Sequence, residues 1–281
     1  MKHVLLPAVL ITLIGILAPT DARAQSAEAA AVVPEKLPAD LTVWPNKTSY
    51  RNSDDWIWQN HDKIRKMRPR VLVLNFANDV DMKQVREHAE GVVRATAEST
   101  KYHGFENPKA PAFIEYKIAK YVDLRDKSGP GAGKHVYSSL MPLKKDRKGY
   151  EVLCDYSAFF TDEFAKHIGF RDPRDPQRYL NLRELVNFGI IHEMWFYAPH
   201  DGGDWPGCET CEMKQFYDEN CRPIKGKHGM AGNGSDRTMP WIGRSFRIAF
   251  FNPHRGVGCA MENYGHTLES VSYTHLRAHE T

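Results

Sequence analysis

Three polar residues near the end of the chain, Glu262, His266 and Glu269, have the spacing of one helical face. Successive helical residues are rotated by about 100°, so offsets of four and seven residues bring these side chains within roughly 60° of one another. Two carboxylates and an imidazole offer ligands to one divalent ion (Zn, Mn or Ca) or form a general base held by a carboxylate. The pattern predicts a metal or acid–base site, and the alternative is a solvated helix face.

Three glycines, Gly256, Gly258 and Gly265, lie in or just before the same predicted helix. Glycine permits another segment to approach the backbone closely. We therefore expect another segment to pack closely against this helix, which favours a metal or acid–base site over a solvated face.

Glu193 is a further candidate catalytic carboxylate, within the strand-like run of residues 190–197. Side chains alternate along a strand, so His192 and Glu193 point to opposite faces and cannot act together as in a zincin helix. A carboxylate beside aromatic residues either pairs with a base such as Arg244 or Arg247 or lines a site with a raised pKa. Both roles stay open for Glu193.

Other polar residues follow predicted strands at their carboxyl ends: Asn75, His200, Asp201, Asn252 and Arg255. In open α/β sheets, ligands bind in the crevice beyond the carboxyl ends of the strands. We expect one cleft there to collect these residues together with the polar helix face. The alternative for each of them alone is a turn former or a cap.

Hydrophobic patterning predicts the elements that must position these residues. Strands are predicted over residues 70–76, 112–124, 150–156, 190–197 and 245–251. Helices are predicted over 81–97, over 181–188 and over a short stretch ending near 167, and a last helix carries Glu262, His266 and Glu269, which we call the polar stripe. Strands that alternate with helices indicate an α/β fold, a mostly parallel sheet with helices on both faces. Residues 41–270 are predicted to form one domain, in which residues 199–241 are a polar loop.

The amino terminus has the pattern of an export signal. Lys2 and His3 precede an apolar run of 15 residues, too short to span a bilayer, and Ala-Arg-Ala at 22–24 suits signal peptidase. Residues 1–24 are therefore predicted to be a signal peptide and 25–40 a flexible linker. We expect a secreted or periplasmic protein that does not bind a membrane after cleavage.

The charge of the chain argues against a polyanionic partner. The 281 residues carry a formal net charge of +3, and removal of residues 1–24 lowers it to +2. Such a weak field does not favour nucleic acid. We expect an extracellular or cell-wall polymer as the partner.

Five cysteines remain after cleavage, and three of them lie close together: Cys208, Cys211 and Cys221. An oxidising compartment favours a disulfide between Cys208 and either Cys211 or Cys221. The alternative is a zinc site completed by His228 or His200, although no second Cys-x-x-Cys is present. The odd cysteine is expected to be Cys154, buried as a small hydrophobe.

Several short motifs resemble a group of uncharacterised secreted bacterial proteins, some of which are attached to dockerin or other extracellular modules. The motifs are His-Glu-Met-Trp-Phe-Tyr at 192–197, Gly-Arg-Ser-Phe-Arg-Ile at 243–248, Phe-Asn with Arg-Gly-Val-Gly at 251–258, and Glu-x-x-x-His-x-x-Glu at 262–269. Members of that group have an acidic residue where this chain has His192, and they extend beyond residue 270. The resemblance implies export and no particular activity.

Residues 272–281, Ser-Tyr-Thr-His-Leu-Arg-Ala-His-Glu-Thr, resemble translated sequencing-adapter read-through. This resemblance predicts that residues 271–281 are a non-native tail and that the native chain continues after residue 270. The stripe would then be only part of a larger site.

Two functions follow from the sequence. The first is a metal-assisted hydrolase of an extracellular polymer, in which Glu262, His266 and Glu269 hold the ion and Glu193 is an accessory carboxylate. The second is a non-catalytic domain that binds glycans or another surface partner through aromatic and amide side chains.

Overall fold

The computed structural model describes residues 37–49, 54–125, 139–146, 151–198, 205–220, 222–233, 236 and 238–277, with the side chains of the last helix described as far as Glu269. The predicted signal peptide and most of the predicted linker lie outside these residues. The strands are β1 (Val43–Trp44), β2 (Lys66–Met67), β3 (Arg70–Asn75), β4 (Lys117–Asp123), β5 (Arg171–Asp172), β6 (Asp175–Tyr179), β7 (Glu193–Tyr197), β8 (Thr210–Tyr217), β9 (Pro223–Ala231) and β10 (Phe246–Phe251). The helices are α1 (Asp54–Asn60), α2 (Met82–Ser99), α3 (Asp162–Ile168), α4 (Leu182–Asn187) and α5 (Val257–Arg277), with a 3-10 helix at Tyr156–Phe160.

Six strands form one mixed sheet in the order β4-β3-β7-β10-β8-β9. The pairs β3–β4, β3–β7 and β7–β10 are parallel, whereas β8 is antiparallel to both β10 and β9. The α/β class is confirmed, but the prediction of a mostly parallel sheet is wrong. The error comes from residues 199–241, which were predicted to be a loop and contain the β8–β9 hairpin.

Both faces of the sheet are covered, as alternation along the buried strands requires. On one face, Val71, Val73 and Trp195 belong to a core that includes residues of α2 and α5. On the other, Leu72 and Phe196 belong to a larger core with the 3-10 helix, α3 and α4. Polar residues on the central strands are therefore buried beneath a helix.

Side-chain caps begin three of the helices close to where the sequence predicts them. Asp81 caps α2 and Asn181 caps α4, each in a capping box with a residue three positions later. Thr161 caps α3, which ends at Gly169 in the left-handed conformation that glycine adopts at low cost. Residues 150–156 were predicted as a strand, but among residues 151–156, which the structure describes, Cys154 alone forms a bridge, with Leu143.

The segment before β3 covers the amino end of the sheet. Strands β1 and β2 pair with each other outside the main sheet. At the first turn of α1, the Asp54 carboxylate accepts hydrogen bonds from the backbone N–H of Ser245 at 2.9 Å and from its hydroxyl at 3.3 Å. These bonds join residues far apart in sequence and close the sheet edge where β10 begins.

Candidate functional site

The predicted stripe lies on α5, where its three side chains are near the surface. Nδ1 of His266 lies 2.9 Å from Oε2 of Glu269, whose side chain is 74 % exposed. Nε2 of His266 lies 3.7 Å from Oε2 of Glu209, a residue just before β8 that the sequence did not single out. The hydrogen bond with Glu269, helped by the charges of Glu209 and Glu262, raises the pKa of His266.

These groups do not converge into a metal centre. Within the part of the chain that the structure describes, no three His, Cys, Asp or Glu side chains are grouped so that they could hold a metal ion. Both ring nitrogens of His266 face carboxylates, so the arrangement favours a protonated imidazole. The zinc, manganese or calcium site stays a prediction without a matching ligand set among these residues.

The glycines of the stripe helix are not crowded. A Cβ placed on Gly256, Gly258 or Gly265 would meet no atom of the described residues within 4 Å. The expectation of close backbone approach at these positions is therefore wrong. The close approach occurs instead at Gly91 of α2, where a Cβ would lie 2.7 Å from Cγ2 of Val257.

The polar residues at the carboxyl ends of the strands form turns. Asn75 accepts a hydrogen bond from the N–H of Ala77 and donates to the carbonyl of Val80, and Asn252 accepts from the N–H of His254. Arg255 is exposed and donates to Sγ of Cys259 at 3.4 Å. His200 and Asp201 lie outside the described residues.

The loops after β3 and β10 do meet at this edge, because Nε2 of His254 lies 2.8 Å from Oδ2 of Asp79. A second contact joins Tyr197, at the end of β7, to Nδ1 of His88 on α2 at 2.9 Å. Burial lowers the pKa of His88, so its imidazole tends to be neutral.

A row of charged side chains crosses the central strands near the opposite, amino end. Glu193, Arg247 and Glu212 are paired in register on β7, β10 and β8 and therefore share one sheet face. Nη1 of Arg247 donates to Oε2 of Glu193 at 2.8 Å, and its Nε lies 3.6 Å from Oε1 of Glu212. Lys214 extends the row, with Nζ 2.6 Å from Oε2 of Glu212.

Glu193 receives two further hydrogen bonds. The hydroxyl of Tyr116 donates to Oε1 at 2.6 Å, and Nε1 of Trp195 donates to Oε2 at 3.1 Å. Burial, reinforced by the nearby Glu193 charge, raises the pKa of Tyr116 well above its usual range. Glu193 is therefore held as an ion pair with Arg247, which is one of the two roles that the sequence left open for it.

A cavity of about 250 Å³ lies beside this row. Pro69, Tyr116, His192 and Phe246, each directly before or at the start of a parallel strand, contribute to its wall. The cavity therefore lies at the amino ends of β3, β4, β7 and β10, opposite to the edge where the sequence predicted the cleft. Its remaining wall includes Trp44, Asp54, Ile57, Tyr264, Lys214 and Thr267.

The helix that carries the predicted stripe contributes other residues to this cavity. Thr267 of α5 hydrogen-bonds Thr210 of β8 at 3.1 Å between their hydroxyl oxygens. The guanidinium carbon Cζ of Arg247 lies over the ring of Tyr264, 5.5 Å from the centroid of that ring. Burial, reinforced by Glu193, raises the pKa of Tyr264 to about 12. The face of α5 next to the predicted stripe is thus the one that reaches the buried polar row.

His192 forms the back of the cavity. Its side chain is buried, its Nδ1 accepts a hydrogen bond from the backbone N–H of Arg70 at 2.9 Å, and its ring contacts Trp44 edge-on at 4.7 Å. Burial, together with the charges of Arg70 and Arg244, lowers the pKa of His192 well below its usual range. The imidazole is therefore neutral, and because Nδ1 accepts, Nε2 carries the proton.

Cys208 and Cys211 are free and buried in the structure, and Cys221 lies outside the described residues. The two thiols are neighbours, since a hydrogen bond from Cys211 lowers the pKa of Cys208. The predicted disulfide stays a prediction. Cys154 is also free and fully buried.

The sequence missed most of the cavity. Trp44, Glu212, Lys214 and Tyr264 carried no prediction of a site, although Arg247 was named as a partner for Glu193. A signal was present in β8, where polar Thr210, Glu212 and Lys214 alternate with apolar residues as in a strand with one polar face.

Comparison of the chain with protein-family models, curated proteins and solved structures finds no match in any of the three. In the described part of the chain, every helix is too short or too polar to cross a membrane. The arguments for function therefore come from the geometry of the two sites.

Proposed function

We propose that this protein binds a saccharide unit of an extracellular polymer in the cavity at the amino end of the sheet, without catalysing a reaction on it. The observation that carries the proposal is the composition of the wall. Aromatic rings of Trp44, Tyr116 and Tyr264 lie beside the fixed polar groups of Arg247 and Lys214. A sugar presents apolar ring faces and hydroxyl groups together, and such a wall complements both.

The engagement of Glu193 argues for binding rather than catalysis. Its two oxygens accept hydrogen bonds from Tyr116, Trp195 and Arg247. A general base needs an oxygen within hydrogen-bonding reach of the proton that it removes. Three of the roughly four acceptor positions of the carboxylate are already used by these donors, so we assign Glu193 the role of fixing the donors around the cavity.

Calorimetric titration with glucose, galactose, N-acetylglucosamine and their oligomers tests this proposal. We expect one of these series to bind, and we expect Tyr264→Ala to weaken that binding about tenfold, which corresponds to about 1.4 kcal/mol. Tyr102→Ala is the matched control, because Tyr102 is 83 % exposed and outside the cavity wall. Thermal melts establish that both variants are folded. Binding unaffected by Tyr264→Ala, or the absence of binding by every sugar, would refute the proposal.

A second candidate is the metal-assisted hydrolase with His266, Glu262 and Glu269 as ligands. The observation in its favour is that Glu209 brings a carboxylate from another element to 3.7 Å from His266, so that a divalent ion which displaces the proton of the imidazole would have a carboxylate on either side. A divalent ion would polarise a bond of the polymer or activate a water molecule there. Titration with zinc, manganese and calcium discriminates: under this candidate His266→Ala weakens binding by well over tenfold and Glu262→Gln by less. If no ion binds below millimolar concentration, the hydrolase is excluded.

A further inference from the structure

Three sulfur atoms lie together in the core on the face of the sheet opposite to the charged row. Cys211 precedes Glu212 on β8, so the two side chains point to opposite faces. Sγ of Cys211 lies 3.5 Å from Sδ of Met239, and its thiol is hydrogen-bonded to that of Cys208. Cys211 is therefore in contact with a second thiol and with a thioether.

These three donors are soft ligands. Thiolate and thioether sulfurs select Cu(I), whereas zinc favours four ligands drawn from Cys, His and carboxylate side chains. Among the residues that the structure describes, no third Cys, His, Asp or Glu joins the two thiols in a metal-binding group. The third donor is the thioether of Met239, so the set suits Cu(I) and not zinc.

The spacing of the sulfurs is close to that of a metal site. Metal–sulfur bonds of about 2.3 Å place the ligand sulfurs roughly 4 Å from one another. Cys211 and Met239 are already at 3.5 Å, so only a small shift of either side chain makes room for the ion between them.

Hydrogen bonds stabilise the charge that such a site would carry. Binding of Cu(I) replaces two thiol protons and leaves one negative charge on the sulfurs. The hydroxyl of Tyr156 donates to Sγ of Cys208, and the backbone N–H of Asp236 donates to Sγ of Cys211. The carboxylate of Asp236 is neutralised by its ion pair with Lys144, so it adds no net charge beside the sulfurs.

The three sulfurs lie directly beneath the surface. Cys208 is 5 % exposed, whereas Cys211 and Met239 are buried among apolar side chains. The thiol nearest the surface can capture an ion, and the two deeper sulfurs then complete its coordination. An apolar shell around a metal restricts the access of solvent to it.

We propose that the reduced protein binds one Cu(I) ion through the thiolates of Cys208 and Cys211 and the thioether of Met239. This site is independent of the proposed binding of a saccharide, because it lies on the other face of the sheet. A disulfide between Cys208 and Cys211 would use two of the three ligands. The metal and that disulfide therefore exclude each other, and the ion binds only the dithiol form.

The test is an anaerobic titration of the reduced, reductant-free protein with Cu(I), in competition with bicinchoninate. We expect one equivalent to bind and X-ray absorption to show three sulfur neighbours. Met239→Leu removes the thioether, nearly keeps the side-chain volume, and should weaken binding by at least about tenfold. Met194→Leu is the matched control, because Met194 is buried in the same core but lies on β7, two strands away from Cys211.

Cysteine variants test the other two ligands. Cys208→Ser and Cys211→Ser should each abolish binding in the presence of bicinchoninate, whereas Cys221→Ser and Cys259→Ser should not. Thermal melts establish that the variants are folded, and Met239→Leu decides alone if a cysteine variant is not. The inference is overturned if the reduced protein binds no Cu(I) in this competition, if Met239→Leu binds it as tightly as the original protein, or if binding survives Cys211→Ser.

Discussion

Glu193 and Arg247 place two opposite charges in the middle of the sheet, with side chains only 15 % and 8 % exposed. When one partner of a buried ion pair is removed, the other charge stays desolvated without compensation, at a cost of about 3–5 kcal/mol. We expect Glu193→Gln to lower the free energy of unfolding by that amount. Urea denaturation monitored by tryptophan fluorescence measures it.

The matched control for this substitution is Glu87→Gln. Glu87 lies 3.9 Å from Lys83 on α2, with both side chains more than 60 % exposed, so its loss should change stability by less than about 1 kcal/mol. A double variant, Glu193→Gln with Arg247→Met, removes both buried charges and should recover part of the loss. Equal effects of Glu193→Gln and Glu87→Gln would show that the pair is not desolvated as the structure indicates.

His266 gives a prediction for pH dependence. Its pKa is raised in the folded protein, chiefly by the hydrogen bond with Glu269, so folding favours the protonated ring. The stabilisation is therefore complete below the unfolded-state pKa of about 6.5 and is lost as pH rises through the higher folded-state pKa. Because Glu269 is largely exposed, this contribution to the free energy of unfolding should be below about 1 kcal/mol. NMR titration should show a midpoint above 6.5 that falls in Glu269→Gln, and an unchanged midpoint would contradict this pairing.

Among the secondary-structure elements, the sequence predicted those whose hydrophobic pattern matches the residues that are buried in the fold. Strand β7 was predicted over residues 190–197 and spans Glu193–Tyr197, and β10 was predicted to within one residue. Helix α2 was found because Asp81 is a strong capping residue before an amphipathic repeat. In each case the local preference and the tertiary environment point to the same structure.

The β8–β9 hairpin was missed because its polar residues are buried for a non-local reason. Glu212 is 1 % exposed, and the proximity of Arg247 and Lys214, with a hydrogen bond from the hydroxyl of Thr210, makes that burial tolerable. The alternation in β8 indicates a strand, but no local pattern shows that its polar face is buried, and the residues were therefore interpreted as part of a polar loop. The missed hairpin also kept the sequence from indicating the cavity: the rule for parallel sheets points to the carboxyl edge, while the cavity lies beside charges that β8 brings to the amino edge.

Two glycines in the helices of one sheet face should respond oppositely to the same substitution. In Gly91→Ala, the new Cβ lies 2.7 Å from Cγ2 of Val257, so α2 and α5 must move apart or Val257 must shift. In Gly265→Ala, no described atom lies within 4 Å, and alanine is favoured over glycine in a helix by about 1 kcal/mol. We expect Gly91→Ala to lower the melting temperature and Gly265→Ala to raise it, by roughly 2–4 °C per kcal/mol.

Val257→Ala provides the control for this pair. If contact with Val257 causes the loss of stability, Gly91→Ala should lower the melting temperature less when it is introduced into the Val257→Ala variant than when it is introduced into the original protein. A stabilising Gly91→Ala would mean that the two helices are packed less closely than the structure shows. A destabilising Gly265→Ala would mean that another segment covers the stripe face of α5.

At the scale of the whole molecule, the two faces of the sheet differ in what they bury. The face under α2 and α5 contains the charged row, whereas the opposite core contains Cys154, Cys208 and Cys211 among aliphatic and aromatic side chains. Both cores share the same strands. We therefore expect exposure of a thiol in the second core to accompany loss of the sheet.

Cysteine accessibility should separate local from global opening. Cys154 is fully buried and burial raises its pKa well above the usual range, so it is both inaccessible and protonated, whereas Cys259 on α5 is half-buried beside the exposed Arg255. We expect iodoacetamide to label Cys259 in the native protein and Cys154 only at urea concentrations that unfold the chain, as read by mass spectrometry of the digest. In protein exported to an oxidising compartment, the predicted disulfide should leave Cys208 unlabelled even in urea until a reductant is added. Labelling of Cys154 as fast as that of Cys259 in native protein would show that the core opens locally, and labelling of Cys208 in urea without reductant would exclude the disulfide.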